Sequence, residues 1–171
     1  MKKAREIAFL GIITSLSVVF LAVGSFLDVL DMTMAIAASL LLFIANEEVK
    51  LKSLMVYFAS SILIMVIMPF SLAGMEYIAF ALYPVLKPIF EKAPTVIAYV
   101  IKGVYVLASS TALGLIMYFF VKDITKKPLM MALYILLLVL VLVLYDVLLK
   151  KFKLYYKFKL RRMLRLDKFF K

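Results

Sequence analysis

Four groups of residues in this chain are of types that can do chemistry or recognition. Asp28 and Asp31 flank a short turn after the first apolar run, and Glu76 lies near the start of the fourth with Tyr77 beside it. Carboxylates grouped at one end of apolar helices can hold a cation, and a neighbouring aromatic can stack on a planar ring. The plainer use of such acids is solvation in a turn and complementing the dipole at a helix N-terminus. On either use Asp31 and Glu76 are expected near water. Tyr118, toward the end of the fifth apolar run, is a second aromatic candidate.

Lys102 and Asp146 form the second group, each the sole charge in its own apolar run. Counted along those runs at about 1.5 Å per residue, both fall in the cytoplasmic third. An unpaired charge at the bilayer centre costs about 2.5–3.5 kcal/mol on insertion scales, so the two are expected to form a buried pair. Snorkelling of Lys102 to the interface is the alternative. The third group is a stripe of small residues, Ala4, Ala8, Gly11 and Ser15, spaced to share one helix face, which lets a second helix approach closely. The fourth is a basic tail: residues 150–171 hold ten Lys or Arg against one acid, Asp167, and so +9 of the chain's net +11.

The types that are missing are as informative. The 171 residues include no Cys and no His, which removes thiol nucleophiles, imidazole bases, disulfides and the usual transition-metal ligands. No Gly-x-x-x-x-Gly-Lys-[Ser/Thr] loop is present, so any ATP hydrolysis belongs to a partner. The chain is expected not to be an enzyme, and no cofactor or metal is expected.

The elements that must position these groups are membrane spans. Hydrophobic residues make up 67% of the chain and mean hydropathy is +1.10, against about 45–50% apolar content in soluble domains. Short polar or Pro/Gly punctuations divide it into six expected helices, 6–27, 29–45, 53–68, 74–90, 95–121 and 129–149, an all-α bundle of about six transmembrane helices. The first run exceeds a signal-peptide core and lacks a convincing cleavage site, so it is expected to stay in the mature protein. Residues 1–149 form the transmembrane domain and 150–171 a basic amphipathic cytoplasmic tail. With the N-terminus inside, six crossings put seventeen Lys or Arg on cytoplasmic segments and three, Lys122, Lys126 and Lys127, outside. The positive-inside rule therefore favours a multi-pass protein of the cell membrane with both termini cytoplasmic. The tail's bases, interleaved with aromatics, are expected to meet anionic lipid, since each gains about 1 kcal/mol near such a surface; no nucleic-acid partner is expected.

Several stretches together resemble the substrate-binding (S) components of energy-coupling factor transporters, which import vitamins and related micronutrients. They are Ala8-Phe9-Leu10-Gly11-Ile12-Ile13-Thr14-Ser15-Leu16-Ser17, the Ala-rich second helix ending in acids, Tyr83-Pro84-Val85-Leu86-Lys87, and Tyr145-Asp146 leading into the basic tail. The resemblance implies a small-molecule substrate bound near the outer face, and a transmembrane coupling subunit and ATPase subunits as partners. It also implies docking of the coupling subunit on an Ala-x-x-x-Ala stripe, here Ala4 and Ala8, extended by Gly11 and Ser15. The outer loops are short and lack Trp, His and Asn, a departure that leaves the substrate open. The competing class is a structural or lipid-interacting membrane protein with a lipid-binding tail.

Overall fold

A computed structural model describes residues 2–27, 30–69, 71–120, 128–164 and 166. Among them every regular element is helical. The order is α1 (Lys2–Phe26), α2 (Asp31–Val49), a 3-10 turn (Lys50–Lys52), α3 (Ser53–Ile67), α4 (Leu72–Phe90), α5 (Thr95–Phe120) and α6 (Pro128–Tyr155). A π-helical turn (Tyr156–Leu160) and a short helix α7 (Arg161–Met163) prolong α6 without a break.

Four helical stretches are long and apolar enough to cross a membrane: Lys3–Phe26, Asp31–Ile67, Thr95–Phe119 and Leu129–Met163. The chain is therefore an all-α membrane-type protein. The fourth and third expected spans do not stand out in the same way, for physical reasons. α4 carries Glu76, Pro84, Lys87 and Pro88, which lower its apolar content. α3 is only 15 residues long and is joined to α2 through the 3-10 turn. At that junction Lys50 has φ 53° and ψ −133°, a conformation that costs a residue with a Cβ and that glycine adopts freely. The Lys50 N–H closes α2 by donating to Asn46 O.

The chain divides into two compact units, Met1–Lys87 with Leu149–Lys171, and Pro88–Leu148. In the first, α1, α2 and α3 pack on one another, and the core holds Leu21, Ala35, Ala38, Leu42, Val56, Ile64, Ala73, Tyr77 and Ala81. Tyr156 joins this core from beyond the end of α6. The small residues of α2 allow close approach: Ala35, Ala38, Ser39 and Ala45 are fully buried. Gly24 of α1 is needed for the same reason, because a Cβ there would stand 2.9 Å from Met34 Cβ and 3.3 Å from Ala73 Cβ. In the second unit α5 and α6 bury Ala98, Val106, Leu113, Leu138, Leu142 and Tyr145. Gly114 there admits Ile135, whose Cγ1 would lie 2.9 Å from an added Cβ.

Candidate functional site

The convergence of α1, α2 and α4 at Gly24, Met34 and Ala73 defines one end of the first unit. Asp31 is the first residue of α2, one turn before Met34, and Glu76 lies one turn after Ala73 on α4. Helical spacing thus brings both acids to this end, and they lie within electrostatic reach of each other. Both are buried, with 8% and 7% of their surface exposed. That corrects the expectation that they sit near water: the turns are short enough for the helices to close over them. Glu76 Oε2 is fully enclosed and has no hydrogen-bond partner among the described residues. A carboxylate enclosed in an apolar bundle without a hydrogen-bond partner is satisfied by a cation or by taking up a proton. Asp28 lies outside the described residues.

Tyr77 faces a different neighbour. It is fully buried, its hydroxyl stands 2.8 Å from Ser60 Oγ on α3, and its ring stacks on Tyr57 with centroids 6.4 Å apart. Tyr57 in turn donates to Ile78 O at 3.3 Å. Tyr77 therefore joins α4 to α3 rather than presenting an open aromatic face to a solute. Tyr118 belongs to the second unit, where it is half exposed and meets Phe119 edge-on at 5.6 Å.

The stripe on α1 lies off the face that packs on α2 and α3. Phe9, Leu10, Ile13, Ser17 and Leu21 are the buried face, whereas Ala4, Ala8, Gly11 and Ser15 are all exposed. A Cβ built on Gly11 meets nothing within 4 Å. Ser15 Oγ donates to Gly11 O at 3.0 Å, so the polar atom of the stripe is satisfied within its own helix. What remains is a smooth, shallow face flanked by Ile7, Ile12 and Val19, which are 70%, 62% and 55% exposed.

In the second unit Lys102 Nζ lies 3.7 Å from Asp146 Oδ1 and 3.6 Å from Glu91 Oε1. Lys102 and Asp146 are largely buried, at 13% and 18% side-chain exposure, while Glu91 keeps 39%. The three join α5, α6 and the turn before α5. Glu91 could not be singled out in the sequence, where it looks like one more acid in a polar turn.

Two further polar assemblies carry no local signal in the sequence. Pro88 has no N–H for the carbonyl of Pro84, four residues before it, so that carbonyl has no helical donor. Asn46, the chain's sole Asn, supplies one: its Nδ2 donates to Pro84 O at 3.0 Å, and its Oδ1 accepts from Ser53 Oγ at 3.1 Å. The second assembly joins α2 to the stretch after α6. Lys153 and Lys157 lie 3.3 and 3.8 Å from the two oxygens of Glu47. Arg161 holds Glu48 with Nε 2.9 Å from Oε1 and Nη2 donating to Oε2 at 3.3 Å, and Tyr156 donates to Oε1 at 2.7 Å. Phe43 and Phe152 meet edge-on one turn away, at 5.8 Å. Lys52 pairs with Glu6 at the start of α1.

Comparison with known proteins adds no family to this geometry: no protein-family model matches the chain, and no curated protein or solved structure matches it.

Proposed function

We propose that this chain is the membrane-embedded solute-capture subunit of an energy-coupling factor type importer. In this reading it crosses the cell membrane six times with both termini in the cytoplasm. It takes a small molecule from the outer face and hands it on through a transmembrane coupling subunit driven by separate ATPases. The observation that carries the reading is the outward stripe of Ala4, Ala8, Gly11 and Ser15 on α1. In lipid there is no hydrophobic force between helices, and association depends on close backbone approach and van der Waals packing. A face of small residues with its hydroxyl already bonded is suited to that approach, and among the described residues it is left exposed.

The buried acids of the first unit support the second half of the reading. Ionisable residues within apolar spans are costly to keep and mark substrate or ion pathways by default. Asp31 and Glu76 would favour a solute with a cationic group, admitted between α1, α2 and α4. The competing reading, a structural or lipid-interacting membrane protein, gives the α1 stripe no helical partner. The test is affinity capture of the full chain from its native membrane. Recovery of ATPase subunits bearing a phosphate-binding loop, together with one polytopic coupling subunit, supports the proposal; recovery of the chain alone, with no retained solute, rejects it. Reporter fusions at positions 126 and 171 check the orientation independently, since six crossings place them on opposite sides.

A further inference from the structure

The stretch after α6 uses its bases on two sides. Lys153, Lys157 and Arg161 face α2 and are held by Glu47 and Glu48. In a straight α-helix two steps of four residues would carry Arg161 about 80° around the axis from Lys153. The π turn at Tyr156–Leu160 is wider than an α turn and takes that advance back, so Arg161 returns to the face of Lys153. The rotation of the helix is thereby fixed, and its other face is fixed with it. That outward face carries Lys151, Lys159 and Arg162, all exposed, and among the described residues no acid pairs with them. Between them stand Leu154, Tyr155, Phe158 and Met163, exposed by 60%, 47%, 73% and 73%.

The depth of this face follows from its partners. Glu47 and Glu48 close α2, and Lys50 and Lys52 follow, so this level is where apolar helix gives way to charge. A face of bases between exposed aromatic and aliphatic side chains, at the level where spans end, matches the interfacial zone of a bilayer. We infer that the outward face of residues 151–163 is a docking site for anionic phospholipid headgroups of the cytoplasmic leaflet, with Lys151, Lys159 and Arg162 binding phosphate while Lys153, Lys157 and Arg161 are reserved for α2. The inference rests on the proposed orientation of the termini and is independent of the transport reading.

The chain has no Trp, so Phe158→Trp gives a single fluorescent reporter on the face in question. The full-length variant is reconstituted in phosphatidylcholine vesicles containing equal mole fractions of brominated phosphatidylglycerol or brominated phosphatidylcholine. Quenching by the brominated anionic lipid is expected to exceed that by the neutral one about twofold or more. The excess should vanish with Lys151→Gln, Lys159→Gln and Arg162→Gln combined, and persist with Lys153→Gln and Lys157→Gln combined. Equal quenching by the two lipids, or none by either, overturns the inference. Loss of the excess in the second variant, with helix content unchanged by circular dichroism, overturns the division between the two faces. Solute binding is not read in this assay, so failure of the transport proposal leaves its result unaffected.

Discussion

The two compact units hold their helices together by different means. Among the described residues the buried polar or charged side chains are concentrated in the first unit, whereas the second buries Ser110 fully and Lys102 and Asp146 largely. Hydroxyls and amides in the first unit reach across: Ser60 to Tyr77, Tyr57 to Ile78 and Asn46 to Pro84. In the second, Ser110 and Thr111 bond back to Val106 O and Leu107 O of their own helix. Apolar packing around Gly114 and an ionic triad that links Lys102 to Asp146 and Glu91 are among the contacts that join α5 and α6. In a solvent as apolar as the side chains, interhelical hydrogen bonds and close packing decide which helices stay together. The first unit is thus crosslinked by polar side chains of different helices, and in the second a charged junction at Lys102 takes that place.

That contrast is sharpest at Lys102. Lys102→Met removes the cation 3.7 Å from the largely buried Asp146 while Glu91 keeps access to water, so a loss of about 3 kcal/mol is expected, at the low end of the roughly 3–5 kcal/mol for breaking buried pairs. Asp146→Leu should cost less, because Glu91 still satisfies Lys102, and the double variant should recover most of the loss of Lys102→Met. Thermal melts in detergent of the three variants check this; additive losses would show that the residues do not share an interaction.

In the first unit the corresponding break is Asn46→Leu, which leaves Pro84 O without its side-chain donor and Ser53 Oγ without its acceptor. Burial of unsatisfied groups costs about 1–3 kcal/mol each. Asn46→Leu should lower the melting temperature clearly, with Ser53→Ala as the milder companion. An unchanged melt would mean that the polar crosslinks do not distinguish the units.

Smaller still, and opposite in sign, is the effect at the junction of α2 and the 3-10 turn. Lys50→Gly relieves a backbone conformation that costs a residue with a Cβ about 1 kcal/mol or more. It should raise the melting temperature by a few degrees, and a fall would place Lys50 in a relaxed conformation instead.

The helices were legible because their boundaries are written in local chemistry. Pro69, Gly74, Pro94 and Pro128 and short charged turns divide the apolar runs close to the observed ends of the helices. The closeness of Lys102 and Asp146 was legible too, since two lone charges at one depth have a common cost to avoid. The third member, Glu91, was not, because its role depends on how the turn before α5 folds back. Asn46 escaped notice because its task is set by prolines 38 and 42 positions later, a distance no local pattern spans. The bases after residue 150 looked uniform in sequence; only the packing of α2 and the π turn divides them into two faces. Asp31 and Glu76 were recognised as acids at one end of the spans, but their burial follows from the close meeting of α1, α2 and α4 at Gly24.

Removing charge at that end bears on the first unit's second property, its polar interior. Glu76→Gln retains the shape and a hydrogen-bonding group, so the melting temperature should change little. On the transport reading, uptake of the solute by intact cells should fall about tenfold or more, the scale of a lost charged hydrogen bond. Unchanged uptake would place the solute elsewhere.

On the proposed function α1 offers its small-residue face to another protein, and Gly11→Leu puts a bulky side chain on that face. Among the described residues nothing lies within 4 Å of a Cβ built at that position, so the purified variant should melt at the temperature of the unchanged protein. Its capture of the coupling subunit and ATPases should be lost, because the leucine side chain holds the partner helix away. Undiminished capture by Gly11→Leu, with or without a lower melting temperature, would contradict the claim.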